Sequence, residues 1–268
     1  KQPAVTAPAM AAKLKQIDDE AGIQDFVDEV ANLFRSQIAA ILGNLLGVVP
    51  VVLVICLGLS LFDLLPMTSE ADANHVLSSV SLLGPTALFA AFTGVLLFAS
   101  SIIAGWVENA FVLHQLDSAL RYHPRLRRWI GVRAADRVGL YLLRNVSGLA
   151  ANISLGLLLG LVPVIAWFFG LNLDVRHVTL TAGQMAAAVF TLGLPALNTP
   201  AFGWALAGLA VIGPLNLGVS FYLAFRVAVA SQNVSGINRS RIRRAIGQRI
   251  RSQPLSFVSP PKTQPVSV

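Results

Sequence analysis

The stretch RYHPRLRRWIGVRAADRVGLYLLR, residues 121–144, decides how this chain is read. It holds seven arginines, Arg121, Arg125, Arg127, Arg128, Arg133, Arg137 and Arg144. Apolar runs lie on both sides, GVLLFASSIIAG (94–105) before it and LGLLLGLVPVIAWFFG (155–170) after it. Lys and Arg of short loops stay preferentially in the cytoplasm. A basic segment between two membrane-length runs therefore reads as an inward-facing loop of a polytopic helical protein.

Composition agrees. Of 268 residues, 55% are hydrophobic and 12% charged; ordinary globular domains carry about 25% charged residues. The mean hydropathy is +0.68 and the pI about 10.3. In a soluble protein a net charge of +7 would suggest nucleic acid. Here the arginines cluster in the central loop and the tail, which suits membrane topology and anionic lipid. A single cysteine, Cys56, excludes an internal disulfide and any cysteine-based metal cluster in one chain. It reads as a small apolar residue facing lipid or another helix. The chain begins at Lys1 without a cleavable leader pattern. It is expected to be the C-terminal part of a longer protein or a processed product, with the first apolar run as internal targeting signal.

The expected architecture is an all-α polytopic transmembrane bundle of about five spans, one a candidate re-entrant element, with an N-terminal amphipathic helix and a basic interfacial loop. Residues 1–36 read as a Pro/Ala-rich linker and an amphipathic helix. Its apolar positions, Ile23, Phe26, Val27, Val30, Leu33 and Phe34 among them, recur at gaps of three and four. Its acidic face disfavours an anionic membrane surface and is expected to meet the upstream region or partner proteins. Residues 37–105 read as a first transmembrane pair, over about Ile38–Phe62 and Val76–Gly105, with an outward link carrying Asp63, Glu70 and Asp72. About 20 apolar residues suffice to cross the hydrocarbon. Residues 106–144 form the basic cytoplasmic loop, which Pro124 breaks into two short helices. Residues 145–230 hold a second transmembrane group, over Asn145–Gly170, Val178–Leu197 and Trp204–Ala230. Residues 231–268, with Arg239, Arg241, Arg243, Arg244, Arg249 and Arg251, read as a basic, Pro-containing disordered tail.

This arrangement carries a conflict. Five full spans with the central loop inside place the tail outside, against its six arginines. Val178–Leu197, the shortest and most polar stretch, is the candidate that does not cross. Residues 35–53 and 144–166 also echo each other, each with Arg, then Asn, then Gly and Val-Pro-Val. Paired broken helices of this kind flank substrate sites in transporters.

Polar residues at membrane depth are candidate functional groups by default. They are Asn44, Asn152, and Glu108 with Asn109 at the end of the second span. Glu108 also reads as solvated or paired with a loop arginine. Asn44, Asn152, Gln184 and Asn216 also suit helix-packing hydrogen bonds. In the link before residue 178, Asp174 can pair with Arg176, and His177 is a candidate for titration near neutrality. The four histidines, His75, His114, His123 and His177, form no metal-ligand spacing, and no nucleotide or nucleophile-elbow motif occurs. No catalytic residue, cofactor or metal is expected.

The strings RSQIAAILGN (35–44), TGVLLFASSIIAGWVEN (93–109), RRWIG (127–131), NISLGLLLGLVPVIAWFFGLNLDVRHVTL (152–180) and NLGVSFYLA (216–224) resemble the proteobacterial Gcr-type membrane family named site-specific recombinase. The resemblance covers about residues 30–230. It implies a multi-pass protein of the bacterial inner membrane whose relatives carry a large helical region upstream. The family name implies DNA strand exchange, but no catalytic residue carries over. The residue three after each histidine is Ser78, Asp117, Leu126 or Leu180, never the arginine of an HxxR motif. Of Tyr122, Tyr141 and Tyr222, the last lies in a span. Three roles compete: a structural membrane module, a transporter or channel-like protein with broken helices, and a membrane-anchored recombinase-family protein. The expected partners are the lipid bilayer and its anionic headgroups; nucleic acid is a further candidate at Arg121, Arg125, Arg127, Arg128, Arg133 and Arg137. The sequence leaves the oligomeric state open.

Overall fold

The structure is a computed structural model and describes residues 10–13, 20–231, 239–257 and 259. Among these, the elements are all helical. They are α1 (Glu20–Leu61), α2 (Glu70–Val80), α3 (Thr86–Leu113), α4 (Leu116–Tyr122), α5 (Pro124–Ile130), α6 (Val132–Phe168), α7 (Val178–Leu192), α8 (Pro200–Ser231) and α9 (Arg239–Ser252). Short 3-10 turns cover Leu194–Asn198 and Pro254–Phe257.

Four of these, α1, α3, α6 and α8, are long and apolar enough to cross a membrane. α7 has 15 residues, about 22 Å at 1.5 Å per residue, which is short of the ~30 Å hydrocarbon core. It starts after His177 and stops at Gly193, whose φ of 79° no β-branched side chain tolerates well. Pro50, Pro163 and Pro214 lie inside α1, α6 and α8 without ending them. The expected second span divides at residues 81–85 into α2 and α3, with Pro85 at the N-cap of α3. Pro124 separates α4 from α5 as expected, and the His123 imidazole caps α5 by accepting from the Leu126 N–H.

Helix packing runs on small residues, which let backbones approach where lipid supplies no hydrophobic drive. Gly94 of α3 faces Val219 and the Leu215 and Asn216 carbonyls of α8. Farther along, Phe98 of α3 packs with Phe221, Ala224 and Phe225 of α8. Both chains advance together, so α3 and α8 run parallel. In α7, Gly183 meets Val48 and Val52 of α1, and Ala186 and Ala187 meet Val52 and Cys56. α7 therefore runs parallel to α1, and Cys56 faces a helix.

Three charged regions collect at one end. The α4–α5 hairpin follows the end of α3, and α9 follows the end of the parallel α8. The tail helix α9 then docks on the start of α1: Arg241 pairs with Glu20 and Arg249 with Asp28, each at 2.8 Å. Ala245 and Ile246 cover Ile23 and Val27 beneath these pairs. The Arg35 guanidinium donates to the Ser256 carbonyl at 2.7 Å, and Phe34 stacks edge-on against Phe257.

One expectation changes here. Residues 239–252, read as disordered tail, form α9, because the acidic face of α1 offers opposite charge and an apolar seam. Of that acidic face, Glu20 and Asp28 pair within the chain, with Arg241 and Arg249. From Glu20 onward the amphipathic segment and the first span form one uninterrupted helix. Of the 1–10 linker, residues 1–9 lie outside the described residues, as do 14–19 of the amphipathic segment and 232–238, 258 and 260–268 of the tail.

A Cβ at Gly208 would collide with the Val80 carbonyl oxygen, where Leu82 donates its N–H to the Trp204 carbonyl at 3.1 Å. Gly203, in the same helix, has open space around it. Gly208→Ala is expected to destabilise the detergent-solubilised protein by roughly 1–3 kcal/mol. Gly203→Ala should leave it unchanged or raise stability by about 0.5–1 kcal/mol. Thermal unfolding followed by circular dichroism checks both.

Candidate functional site

A polar centre forms where the link before α7 meets α3 and α8. Residues 171–177 are not helical, so their backbone groups lack the internal partners of a helix. Side chains supply them. Asn216, 2% exposed in the middle of α8, donates from Nδ2 to the Arg176 carbonyl at 2.9 Å and the Ala90 carbonyl at 2.8 Å. Its Oδ1 accepts from the Val178 N–H at 3.3 Å. Thr93, fully buried in α3, accepts the Arg176 N–H at 2.8 Å and donates to the Phe89 carbonyl at 2.8 Å. The Asp174 carboxylate accepts the Val175 N–H at 2.7 Å.

Arg176 is 8% exposed. One guanidinium nitrogen pairs with the Asp174 carboxylate at 2.5 Å, and the other donates to the Ser79 carbonyl at 3.2 Å. Phe89 lies under the guanidinium, 6.0 Å from ring centroid to Cζ. Ser79 belongs to the last turn of α2, where orphan carbonyls and the negative pole favour a cation. Removing the Asp174 carboxylate would leave the nearly buried Arg176 cation without its counter-charge. Arg176 thus ties the link to the α2–α3 corner.

The centre lies below the end of the bundle. Thr93 is seven residues past Thr86 at the start of α3, about 10 Å along the axis, and Asn216 is sixteen past Pro200, about 24 Å. The chain leaves α6, descends in extended form to Arg176, and returns to the same end as α7. There Thr191 donates to the Thr68 carbonyl at 3.4 Å. Irregular backbone at membrane depth is tolerated where protein buries it, and Thr93 and Asn216 provide that burial.

The structure brings Asp174, Arg176 and His177 together with Asn216, which the sequence offers as a packing residue, and with Thr93, which sequence reasoning missed. Its one signal is a hydroxyl beside a glycine within an apolar run. Asn44, Glu108, Asn109 and Asn152 do not join them. All four are exposed on the outer faces of α1, α3 and α6, and Glu108 forms no ion pair among the described residues. α1 packs on α7 and α6 on α3, so the two echoing segments occupy different surroundings.

At the basic end, Arg121 and Arg127 approach Asp136 at 3.6 and 3.8 Å, and Arg127 lies over the Tyr122 ring at 4.6 Å. The Arg127 Nε also donates to the Arg121 carbonyl at 2.6 Å. These two arginines hold the loop against α6, where Gly139 makes room for the Arg121 side chain. Arg125, Arg128, Arg133, Arg137 and Arg144 are exposed, as are Arg244 and Arg251 of α9. Trp129, 87% exposed, stands among them. No group of three or more His, Cys, Asp or Glu able to hold a metal occurs among the described residues. Tyr122 offers its ring face to arginines that Asp136 already engages, which is not the gathering of Tyr and Arg at one phosphate that strand exchange requires.

Four spanning-length helices around a buried polar link define a polytopic helical membrane protein. The family model described as site-specific recombinase matches residues 1–260, and the chain belongs to that family. No curated protein and no solved structure matches it.

Asn216→Ala strands the Arg176 carbonyl and the Val178 N–H in a buried site. At ~1–3 kcal/mol for each unsatisfied group, the expected loss is about 2–4 kcal/mol. Asn44→Ala and Asn152→Ala should stay within about 0.5 kcal/mol of the parent. Equal losses at all three positions, measured by thermal unfolding in one detergent, would contradict this assignment.

Proposed function

We propose that this chain is a multi-pass protein of the bacterial inner membrane whose cytoplasmic end is a basic platform, and whose role in the recombinase-named family is structural. The observation that carries this reading is the placing of all the arginine-rich surface at one end of the bundle. Four crossings return the tail to the side of the central loop, which removes the conflict that five crossings create. The opposite end carries Asp63, Glu70 and Asp72. That asymmetry matches the retention of Arg-rich loops in the cytoplasm. Exposed arginines around Trp129 suit anionic headgroups. The family's description supplies the case for DNA, whose phosphates the same arginines could meet in a strongly salt-dependent way.

Cysteine labelling tests the reading. With Cys56 replaced, single cysteines at Ser118 and Ser252 should react with a membrane-impermeant maleimide only after the cells are opened. One at Ala71 should react in intact cells. Labelling of position 252 from outside would sink the proposal.

A second reading, transport of a small solute, is favoured by one observation: the helix of α7 begins at the buried centre and not at a surface. Half-helices of this kind form substrate sites in transporters. If this reading holds, flux into liposomes should fall with Thr93→Val and remain with Asn152→Ala. Flux indifferent to Thr93, or absent from the parent protein, would remove it.

A further inference from the structure

We propose that the end of α9 and the turn after it form a membrane-surface anchor: Ile250 and Leu255 enter the inner leaflet, and Arg251 meets its anionic headgroups. The proposal rests on the inner-membrane reading above and goes beyond it by giving the tail a lipid contact of its own.

The course of the chain brings the tail to the bilayer. Residues 36–62 carry no charged side chain. At 1.5 Å per residue they cover about 40 Å, the thickness of a bilayer with its headgroups. Arg35 therefore stands at the headgroup level of the basic end. α9 runs parallel to α1 toward that level, since Arg241 pairs with Glu20 and Arg249, farther along, with Asp28. The turn Pro254–Phe257 completes the descent. The Arg35 guanidinium donates to the carbonyls of Ser256 at 2.7 Å and Ser259 at 3.2 Å, and Phe257 meets the ring of Phe34. Leu255, covalently joined to Ser256, is thus held beside Arg35.

The apolar residues of the tail outrun their protein partner. Ile242, Ala245 and Ile246 pack against α1 and α8. The next two large apolar residues, Ile250 and Leu255, are 52% and 72% exposed. Arg251, adjoining Ile250, is exposed and forms no ion pair among the described residues. From Val175 to Val268 the sequence holds no Asp or Glu, so no carboxylate of the tail offsets it. Of the carboxylates on the facing part of α1, Glu20, Asp28 and Glu29 pair with Arg241, Arg249 and Lys13. Asp25 is ten residues before Arg35, about 15 Å along the axis, and stands away from the turn. Exposed apolar side chains edged by an uncompensated cation are the chemistry of an interfacial segment. Such a segment buries its apolar side chains at the headgroup and acyl boundary and sets its cations among anionic lipids.

The test uses the full chain, with Cys56 replaced, in vesicles of two parts phosphatidylcholine to one of phosphatidylglycerol. Spin labels at positions 248, 250 and 255 are compared for collision with oxygen, which partitions into lipid, and with a water-soluble nickel chelate. Positions 250 and 255 are expected to lie roughly 5–10 Å deep in the headgroup and acyl boundary, and position 248 in water. All three residues are exposed, so the labelled chains should keep the parent's unfolding midpoint. In phosphatidylcholine alone the labels at 250 and 255 should lie shallower. Nickel access at 250 and 255 equal to that at 248 would overturn the anchor. Shielding from both reagents would mean that a partner protein or a second copy covers the turn, and would overturn lipid as its occupant. Equal depth in the two kinds of vesicle would overturn the anionic headgroup as partner. Depth is read in whichever leaflet the tail meets. Labelling of position 252 in intact cells would therefore sink the inward orientation without deciding the lipid contact.

Discussion

The three hydrogen bonds of the Asn216 side chain join segments that no continuous helix connects. They tie the middle of α8 to the Ala90 carbonyl of α3 and to both sides of the Arg176–Val178 backbone. A chain that leaves helical geometry inside a bundle must find a partner for each exposed amide. Asn is suited to this because it offers two donors and an acceptor in one plane. With Thr93 on the opposite wall, it lets an extended segment enter the protein and start a helix there. The position of α7, and so its contact with α1, depends on that substitution of side chains for ladder bonds.

From that point the distribution of charge follows. Because α7 returns to the end from which its link descended, the chain crosses the long axis of the bundle four times. Both arginine clusters and the acidic start of α1 then share one end. Opposite charges there are close enough to pair, and α9 forms against α1 where isolated it would be a highly charged 14-residue segment. Such short helices are marginal alone; an apolar seam of Ile23, Val27, Ala245 and Ile246 supports this one. The exposed ion pairs above it contribute little by themselves.

Membership of a recombinase-named family and the described chemistry point different ways. Arginines are plentiful, but they stack on Tyr122, bind Asp136 and Asp28, or face outward. Strand exchange needs a nucleophile and cations gathered on one phosphate, and the polar groups that do gather, around Arg176, lie in the middle of the bundle.

The sequence by itself determined the class, because hydropathy and the clustering of arginine report the solvent that each segment requires. It also located the break at Pro124, the length of the apolar runs and the weakness of Val178–Leu197 as a span. It named Asp174, Arg176 and His177 because charge in an apolar chain stands out. Asn216 and Thr93 were not legible as site residues. An amide or hydroxyl in a helix has the same local signature whether it faces lipid, a neighbouring helix or a stray backbone, as the exposed Asn44 and Asn152 illustrate. The order in the tail was passed over for a different reason: Ile242, Ala245, Ile246 and Ile250 recur at helical spacing, but the dense arginines around them outweigh that stripe in composition, and only the acidic surface of α1, some two hundred residues earlier, gives α9 a place to fold. Local composition fixes what each segment can tolerate, whereas hydrogen bonding and charge pairing between distant segments exist only once the chain has folded.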